Sequence, residues 1–216
     1  MNSKTVSLFG LEFDNLNMEE ALEKFMRLVQ SDTFSLVVSP NAHQISMIDN
    51  DENLLSLYQK AELTLPDGMS ILLASKLIGN PLKQRITGSD FVPALFEQYA
   101  HDHPLKIFFL GGKPGVADKA KSKLIEEDTL TTVKTHSPSM GFENDPDENT
   151  HTIKKINDFS PDILFVALGT PRQEIWLTSH ADRLDVSVGM GVGATFDFIA
   201  GEKKRAPEIL QKMGLE

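Results

Sequence analysis

The feature that most narrows what this chain can fold into is an alternation: apolar runs of strand length are followed, repeatedly, by stretches of helical period. Val6–Phe9 and Leu11–Phe13 open it as a short β element. Met18–Gln30 carries Ala21, Leu22, Phe25, Leu28 and Val29, the stripe of an amphipathic helix. Phe34–Ser39 reads as a buried strand ended by Pro40, and further strands are expected at Leu63–Leu65, Leu105–Leu110, Thr131–Thr135, Ile163–Leu168 and Val186–Met190. Helices are expected between and after them, at Gln44–Ile48, Glu52–Lys60, Met69–Leu77, Phe91–His101, Pro114–Glu126, Asn149–Phe159, through Trp176 to Ala181, at Thr195–Ala200 and at Pro207–Met213. A strand followed by a helix and another strand favours a parallel sheet, because the crossover returns the chain to the same edge. The expectation is one α/β domain over residues 1–216, Rossmann-like, with a mainly parallel sheet flanked by helices and a small N-terminal β element. His136–Asn149, rich in Ser, Pro, Gly, Asn and Asp, is the expected long loop. Gly214 has the position of a C-cap for the last helix.

Charge and inventory remove several function classes. The formal net charge is -10, and a nucleic-acid partner needs a basic face, so none is expected. Lys203, Lys204 and Arg205 form one local basic cluster. The sequence contains no cysteine, which excludes disulfides, thiolate catalysis and Cys-based metal sites. The N-terminus has no signal-peptide h-region, and no stretch reaches the roughly 18 apolar residues of a membrane span. His101 and His103 lie in a connection, and the spaced pairs Asp49/Asp51 and Asp145/Asp147 fall in polar turns, so no metal site is expected.

Ligands of a parallel α/β sheet bind at the carboxyl ends of its strands. The unusual residues of this chain lie there: Ser39-Pro40-Asn41-Ala42-His43, Gly111-Gly112-Lys113-Pro114-Gly115, Gly169-Thr170-Pro171-Arg172-Gln173-Glu174 and Gly191-Val192-Gly193-Ala194-Thr195-Phe196-Asp197. Gly111–Gly115 is either an anion-binding helix N-terminus or a tight turn that binds nothing. Gly189–Ala194 matches G-x-G-x-x-G/A, but too little chain follows for a dinucleotide-binding unit. Close backbone packing against a ligand or a helix is the expectation there. Asp67, between Pro66 and Gly68, is a turn aspartate or a general base. Arg85 precedes Ser89 and Asp90, either of which has the character of an N-cap.

Taken in order, Asp67-Gly68, Arg85-x-Thr87-Gly88-x-Asp90, Phe109-Leu110-Gly111-Gly112-x-Pro114-Gly115-Val116-Ala117, Gly169-x-Pro171-Arg172-Gln173-Glu174-x-Trp176 and the block from Gly191 to Pro207 are specific. The sequence resembles the WecG/TagA/CpsF family of glycosyltransferases over roughly residues 5–216. Ser39 departs from the Thr frequent in that family before Pro-Asn, with the hydroxyl kept.

The resemblance implies inverting transfer of N-acetylmannosamine, or a related hexosamine or uronic acid, from a UDP-sugar to undecaprenyl-diphosphate-linked N-acetylglucosamine. No cofactor and no metal are implied beyond the donor substrate. The products would feed teichoic acid, common antigen or capsule at the inner face of the cytoplasmic membrane. A homodimer is a fair expectation. Members usually continue past Gly214-Leu215-Glu216 with a Trp- and Arg-containing segment, through which contact with the membrane is expected. On this reading Asp67 is the general base, with Arg85 and Gln173 completing the catalytic group. Ser39 and Asn41 hold the donor sugar. Gly68, Thr87, Gly111, Gly112, Pro114, Gly115, Arg172, Gly191 and Gly193 line the substrates, and Asp197 bonds uracil or ribose. Two rivals remain, a nucleotide-dependent oxidoreductase resting on Gly189–Ala194 and a catalytically silent UDP-sugar-binding module.

Overall fold

The structure is a computed structural model that describes residues 4–125 and 129–204. The expected helix at Pro207–Met213, the cap at Gly214 and the cation Arg205 lie outside the described residues.

Strands β1 (Thr5–Leu8) and β2 (Leu11–Asp14) form an antiparallel hairpin. Helix α1 (Met18–Val29) follows, started by Asn17, whose side chain accepts from the Glu20 N–H while Glu20 reaches back. Then come β3 (Ser35–Val38), α2 (Ala42–Ile48), α3 (Glu52–Tyr58), β4 (Leu63–Thr64), α4 (Met69–Leu77) and α5 (Gly88–Tyr99). The second half is β5 (Lys106–Gly111), α6 (Val116–Leu124), β6 (Thr132–His136), α7 (Pro146–Asn157), β7 (Ile163–Ala167), α8 (Arg172–His180), β8 (Val188–Gly191) and α9 (Thr195–Ala200).

Among the described residues β3 to β8 make one parallel sheet of order β4-β3-β8-β7-β5-β6. The arrangement is α/β and Rossmann-like, as the alternation predicts. Strand residues alternate between two cores, as the two-residue period of a strand requires. Val37, Ile107, Phe109, Phe165 and Met190 face α1, α5, α6 and α9. Leu36, Val38, Phe108, Leu110, Leu164 and Val166 face the hairpin, α2, α3, α4, α7 and α8. Phe109 stacks on Phe196 of α9, with ring centroids 4.5 Å apart.

This two-sided packing fixes where a cleft can open. The neighbours β3 and β8 send the helices that follow them to opposite faces, α2 to one core and α9 to the other. Adjacent strands whose connections diverge leave a crevice above their carboxyl ends.

Two local expectations are corrected. The loop expected over His136–Asn149 is shorter: β6 runs through His136, a 3-10 turn occupies Phe142–Asn144, and α7 begins at Pro146. Asp145 caps α7 by accepting from the N–H groups of Asp147 and Glu148, with Pro146 at the first helical position, where no N–H is needed. The N-cap of α5 is Thr87, not Ser89 or Asp90; its hydroxyl oxygen accepts from the Asp90 N–H at 3.2 Å.

Candidate active site

Three loops converge over β3, β4 and β8. Asn41 ends the first as the N-cap of α2, its side-chain oxygen accepting from the N–H groups of His43 and Gln44. Asp67 lies in the second, and its N–H donates to the Pro40 carbonyl at 3.3 Å. The 85–87 segment is tied alongside by the Ile86 N–H, which donates to the Pro66 carbonyl at 2.9 Å. The positive φ of Gly68, +106°, turns the chain from Asp67 into α4, a backbone region that favours glycine.

These loops enclose one continuous cleft. Its outer part, a cavity of about 540 Å³, is lined by Asn41, His43, Asp67, Gly68, Thr87 and Ser89, among others. Its inner part, about 210 Å³, is lined by Ser39, Asn41, Asp67, Gln173, Gly191 and Gly193, with Thr170 and Phe198 beside them. Asp67 and Gln173, far apart in sequence, therefore face the same space. Arg85 backs this wall rather than lining it. Its guanidinium stands 3.5 Å from the Asp90 carboxylate, and Asp90 accepts the Thr87 hydroxyl at 2.8 Å.

Below the inner cleft lies a buried polar layer. The Asn41 N–H donates to Gln44 Oε1 at 2.9 Å, and Gln44 Nε2 donates to the hydroxyls of Tyr58 and Thr170, both at 3.0 Å. The Gly193 N–H donates to Gln173 Oε1 at 3.1 Å, and Gln173 Nε2 donates to Glu174 Oε1 at 2.8 Å. Gln173 and Glu174 are each 2% exposed. Burial pushes the Glu174 carboxyl above its usual range, partly offset by Gln173, Thr170 and Tyr58. Burial also raises the Tyr58 phenol, and the negative charge of Glu174 adds to it.

A second cavity, about 200 Å³, opens beside the first over β5 and β7. Gly111, Gly112 and Pro114 line it, facing Met140, Phe142 and Arg172. The turn after β7 serves both spaces: Thr170 and Gln173 line the first, Leu168 and Arg172 the second. Arg172 donates to Glu143 Oε1 at 3.1 Å and to the Leu168 carbonyl. Gly115 is left-handed at the start of α6, with φ +80°.

The glycines of the 189–194 run do structural work. A Cβ on Gly189 would stand 2.7 Å from Leu177 and 2.9 Å from Phe34. Both contacts are with the helix and loop packed on β8, so packing of the chain on itself requires this glycine. Asp197 departs from expectation. It is on α9, 3.8 Å from Lys203 Nζ, accepts from the Glu202 and Lys203 N–H groups through its carbonyl, and lines neither cavity.

Four residues of this region carry no assigned role in the sequence reading: Gln44, Tyr58, Thr170 and Glu174. For Gln44 a signal exists, the N-x-x-Q capping box that starts at Asn41. For Tyr58 there is none, because an apolar helical stripe conceals its hydroxyl.

An α/β domain with a polar cleft at the switch between β3 and β8 belongs to the broad class that binds small polar ligands above a parallel sheet. A match to the glycosyl transferase WecG/TagA/CpsF family spans residues 6–216. The chain belongs to that family, and it is a glycosyltransferase by that membership. Relatives from Staphylococcus aureus, including strains COL and N315, are named N-acetylglucosaminyldiphosphoundecaprenol N-acetyl-beta-D-mannosaminyltransferase. Each is 29% identical over 217 residues, covering 100% of this chain and 83% of the relative. Among the described residues no helix is long and apolar enough to cross a membrane.

Proposed function

We propose that this glycosyltransferase moves N-acetylmannosamine, or a related hexosamine or uronic acid, from a UDP donor to polyprenyl-diphosphate-linked N-acetylglucosamine, with inversion and without a resident metal. The observation that carries the reading is the meeting of Asp67, Asn41 and Gln173 in one cleft above the β3–β8 switch. The acceptor named for the relatives supplies its chemistry.

In this scheme the acceptor hydroxyl enters the cleft and gives its proton to Asp67 as its oxygen bonds to C1 of the donor sugar. The C1–oxygen bond to UDP breaks in the same step, so the configuration at C1 inverts and UDP takes the electron pair. Asn41 and Ser39 hold the sugar. The Gly111–Gly115 turn and the N-terminus of α6 meet the leaving diphosphate through backbone N–H groups. Arg172 lies across the same cavity, and Arg85 keeps Thr87 in place through Asp90. The product chain would enter a cell-surface polymer such as teichoic acid or capsule, made by a peripheral enzyme at the inner membrane face.

The test is turnover with UDP-N-acetylmannosamine and a short-chain polyprenyl-diphosphate-N-acetylglucosamine, in the presence and absence of EDTA. Product formation unaffected by EDTA, with inverted stereochemistry by NMR, supports the whole scheme. Binding of UDP without transfer favours the silent module. Saturable binding of NAD and none of UDP would overturn the reading.

A further inference from the structure

The hydrogen-bond directions beneath the cleft can be assigned without seeing a hydrogen, because both ends are backbone amides. A backbone N–H can only donate. The Asn41 N–H therefore fixes the Gln44 oxygen, leaving Gln44 Nε2 to donate to Tyr58 and Thr170. The Gly193 N–H fixes the Gln173 oxygen in the same way, leaving Gln173 Nε2 to donate to Glu174. Tyr58 and Thr170 each accept from Gln44, so their hydroxyl hydrogens turn toward the Glu174 carboxyl beside them. Glu174 Oε2 is buried and has no partner of regular geometry, so these hydroxyls act on it as oriented dipoles. Gln173 donates to one carboxyl oxygen and the two hydroxyls lie beside the carboxyl, where the ionised form can accept from all three. A protonated carboxyl would instead have to turn its own hydrogen to the remaining lone pair of Tyr58 or Thr170.

We propose that Glu174 is the positioning residue of this cleft: a buried carboxylate that, as the common acceptor of the network, fixes Gln173 and Gln44. Through those two amides it holds the loops bearing Gly193 and Asn41 at the spacing that the substrates need. It lies under the cleft floor, bonded to Gln173, and touches no substrate. In Glu174→Gln one oxygen remains for Gln173, but the new amide –NH2 faces the Tyr58 and Thr170 hydroxyls as a donor and loosens the hold on Gln44. The catalytic arm of this inference rests on the glycosyltransferase reading above; the structural arm does not.

The test compares the whole chain with its Glu174→Gln and Tyr58→Phe variants. Isotope-edited infrared difference spectra at neutral pH, wild type against Glu174→Gln, are expected to show loss of an ionised carboxylate band. A protonated carboxyl band in its place overturns the proposal. Hydrogen exchange of the Asn41 amide is expected to quicken about ten-fold in Glu174→Gln, reporting local opening at that loop. In transfer assays kcat falls about 10- to 100-fold, with KM for the UDP-sugar nearly unchanged, as expected when reacting groups are misplaced. Unchanged exchange at Asn41, or unchanged kcat in a transferring wild type, overturns it. If Glu174→Gln does not fold, Tyr58→Phe decides: faster exchange at Asn41 supports the network, and unchanged exchange refutes it. A wild type that transfers no sugar defeats the proposed function, while the infrared and exchange results still judge Glu174.

Discussion

Gln173 occupies the space that a side chain at position 191 would need: a Cβ on Gly191 would stand 2.6 Å from Gln173 Nε2 and 2.8 Å from its Cδ. Gly191, the last residue of β8, is thus a glycine because α8 lays a glutamine amide across it. The amide is held on its other side by Gly193 and Glu174, so it has nowhere to retreat. Gly191→Ala is expected to displace Gln173 and leave buried polar groups unpaired, a cost of about 1–3 kcal/mol. A thermal melt checks the stability loss, and the same variant is expected to lose transfer; Gly193→Ala, with nothing within 4 Å of its Cβ position, meets no clash and only the backbone strain of its φ of +54°.

Asp67 and Asn41 share both parts of the cleft, yet they are held differently, so their substitutions separate. Asp67→Asn keeps the shape and removes the base. Its transfer rate is expected to fall about 100-fold or more with UDP affinity and melting temperature close to wild type. Calorimetric UDP binding beside a turnover assay makes the comparison, and near-normal turnover would remove Asp67 from the role.

Asn41 has two duties that one substitution would confuse. It caps α2 through its side-chain oxygen, and it faces the cleft. Asn41→Ala is expected to cost about 1 kcal/mol of stability through the lost cap and to lower transfer as well. Asn41→Asp keeps the cap oxygen, so stability is expected to return while a second carboxylate beside Asp67 keeps transfer low. Denaturant unfolding and turnover of the two variants together distinguish the duties. Recovery of full activity in Asn41→Asp would reduce Asn41 to a helix cap.

The fold was legible because its signals are local and repeated. Helix α4 at Met69–Leu77 and α9 at Thr195–Ala200 have the bounds their periodicity predicts. α7 starts earlier than its apolar stripe, since Asp145 and Pro146 begin the helix with polar chemistry that a hydrophobic pattern does not register. The site was legible in part. Ser39, Asn41, Gln173 and the Gly191–Gly193 turn follow from the rule that strand ends carry the ligand, Asp67 from its Pro-Asp-Gly turn and the family resemblance, and they converge. Asp197 does not, because one residue of helix phase decides whether a side chain points to the cleft or to Lys203. The Gln44–Tyr58–Glu174 layer joins three different helices, so no spacing within the chain announces it.

The two cavities on either side of the 168–173 turn allow donor and acceptor functions to be tested apart. In the Gly111–Gly115 turn the fold itself requires glycine: a Cβ on Gly111 would stand 2.5 Å from the Ala167 carbonyl oxygen, and Gly112 has φ +75°. Facing it, Arg172 is half exposed and paired with Glu143, a carboxylate that is itself largely buried. If the leaving diphosphate lies there, Arg172→Ala is expected to weaken UDP binding about ten-fold, the scale of one charge-assisted contact, and to flatten the salt dependence of that binding. Glu143→Gln, which releases the guanidinium from its present partner, is expected to leave UDP affinity equal or tighter. Titration of UDP into both variants at low and high salt reads these effects directly. An Arg172→Ala protein that binds UDP like wild type at every salt concentration would move the diphosphate out of this cavity and toward the Asp67 cleft.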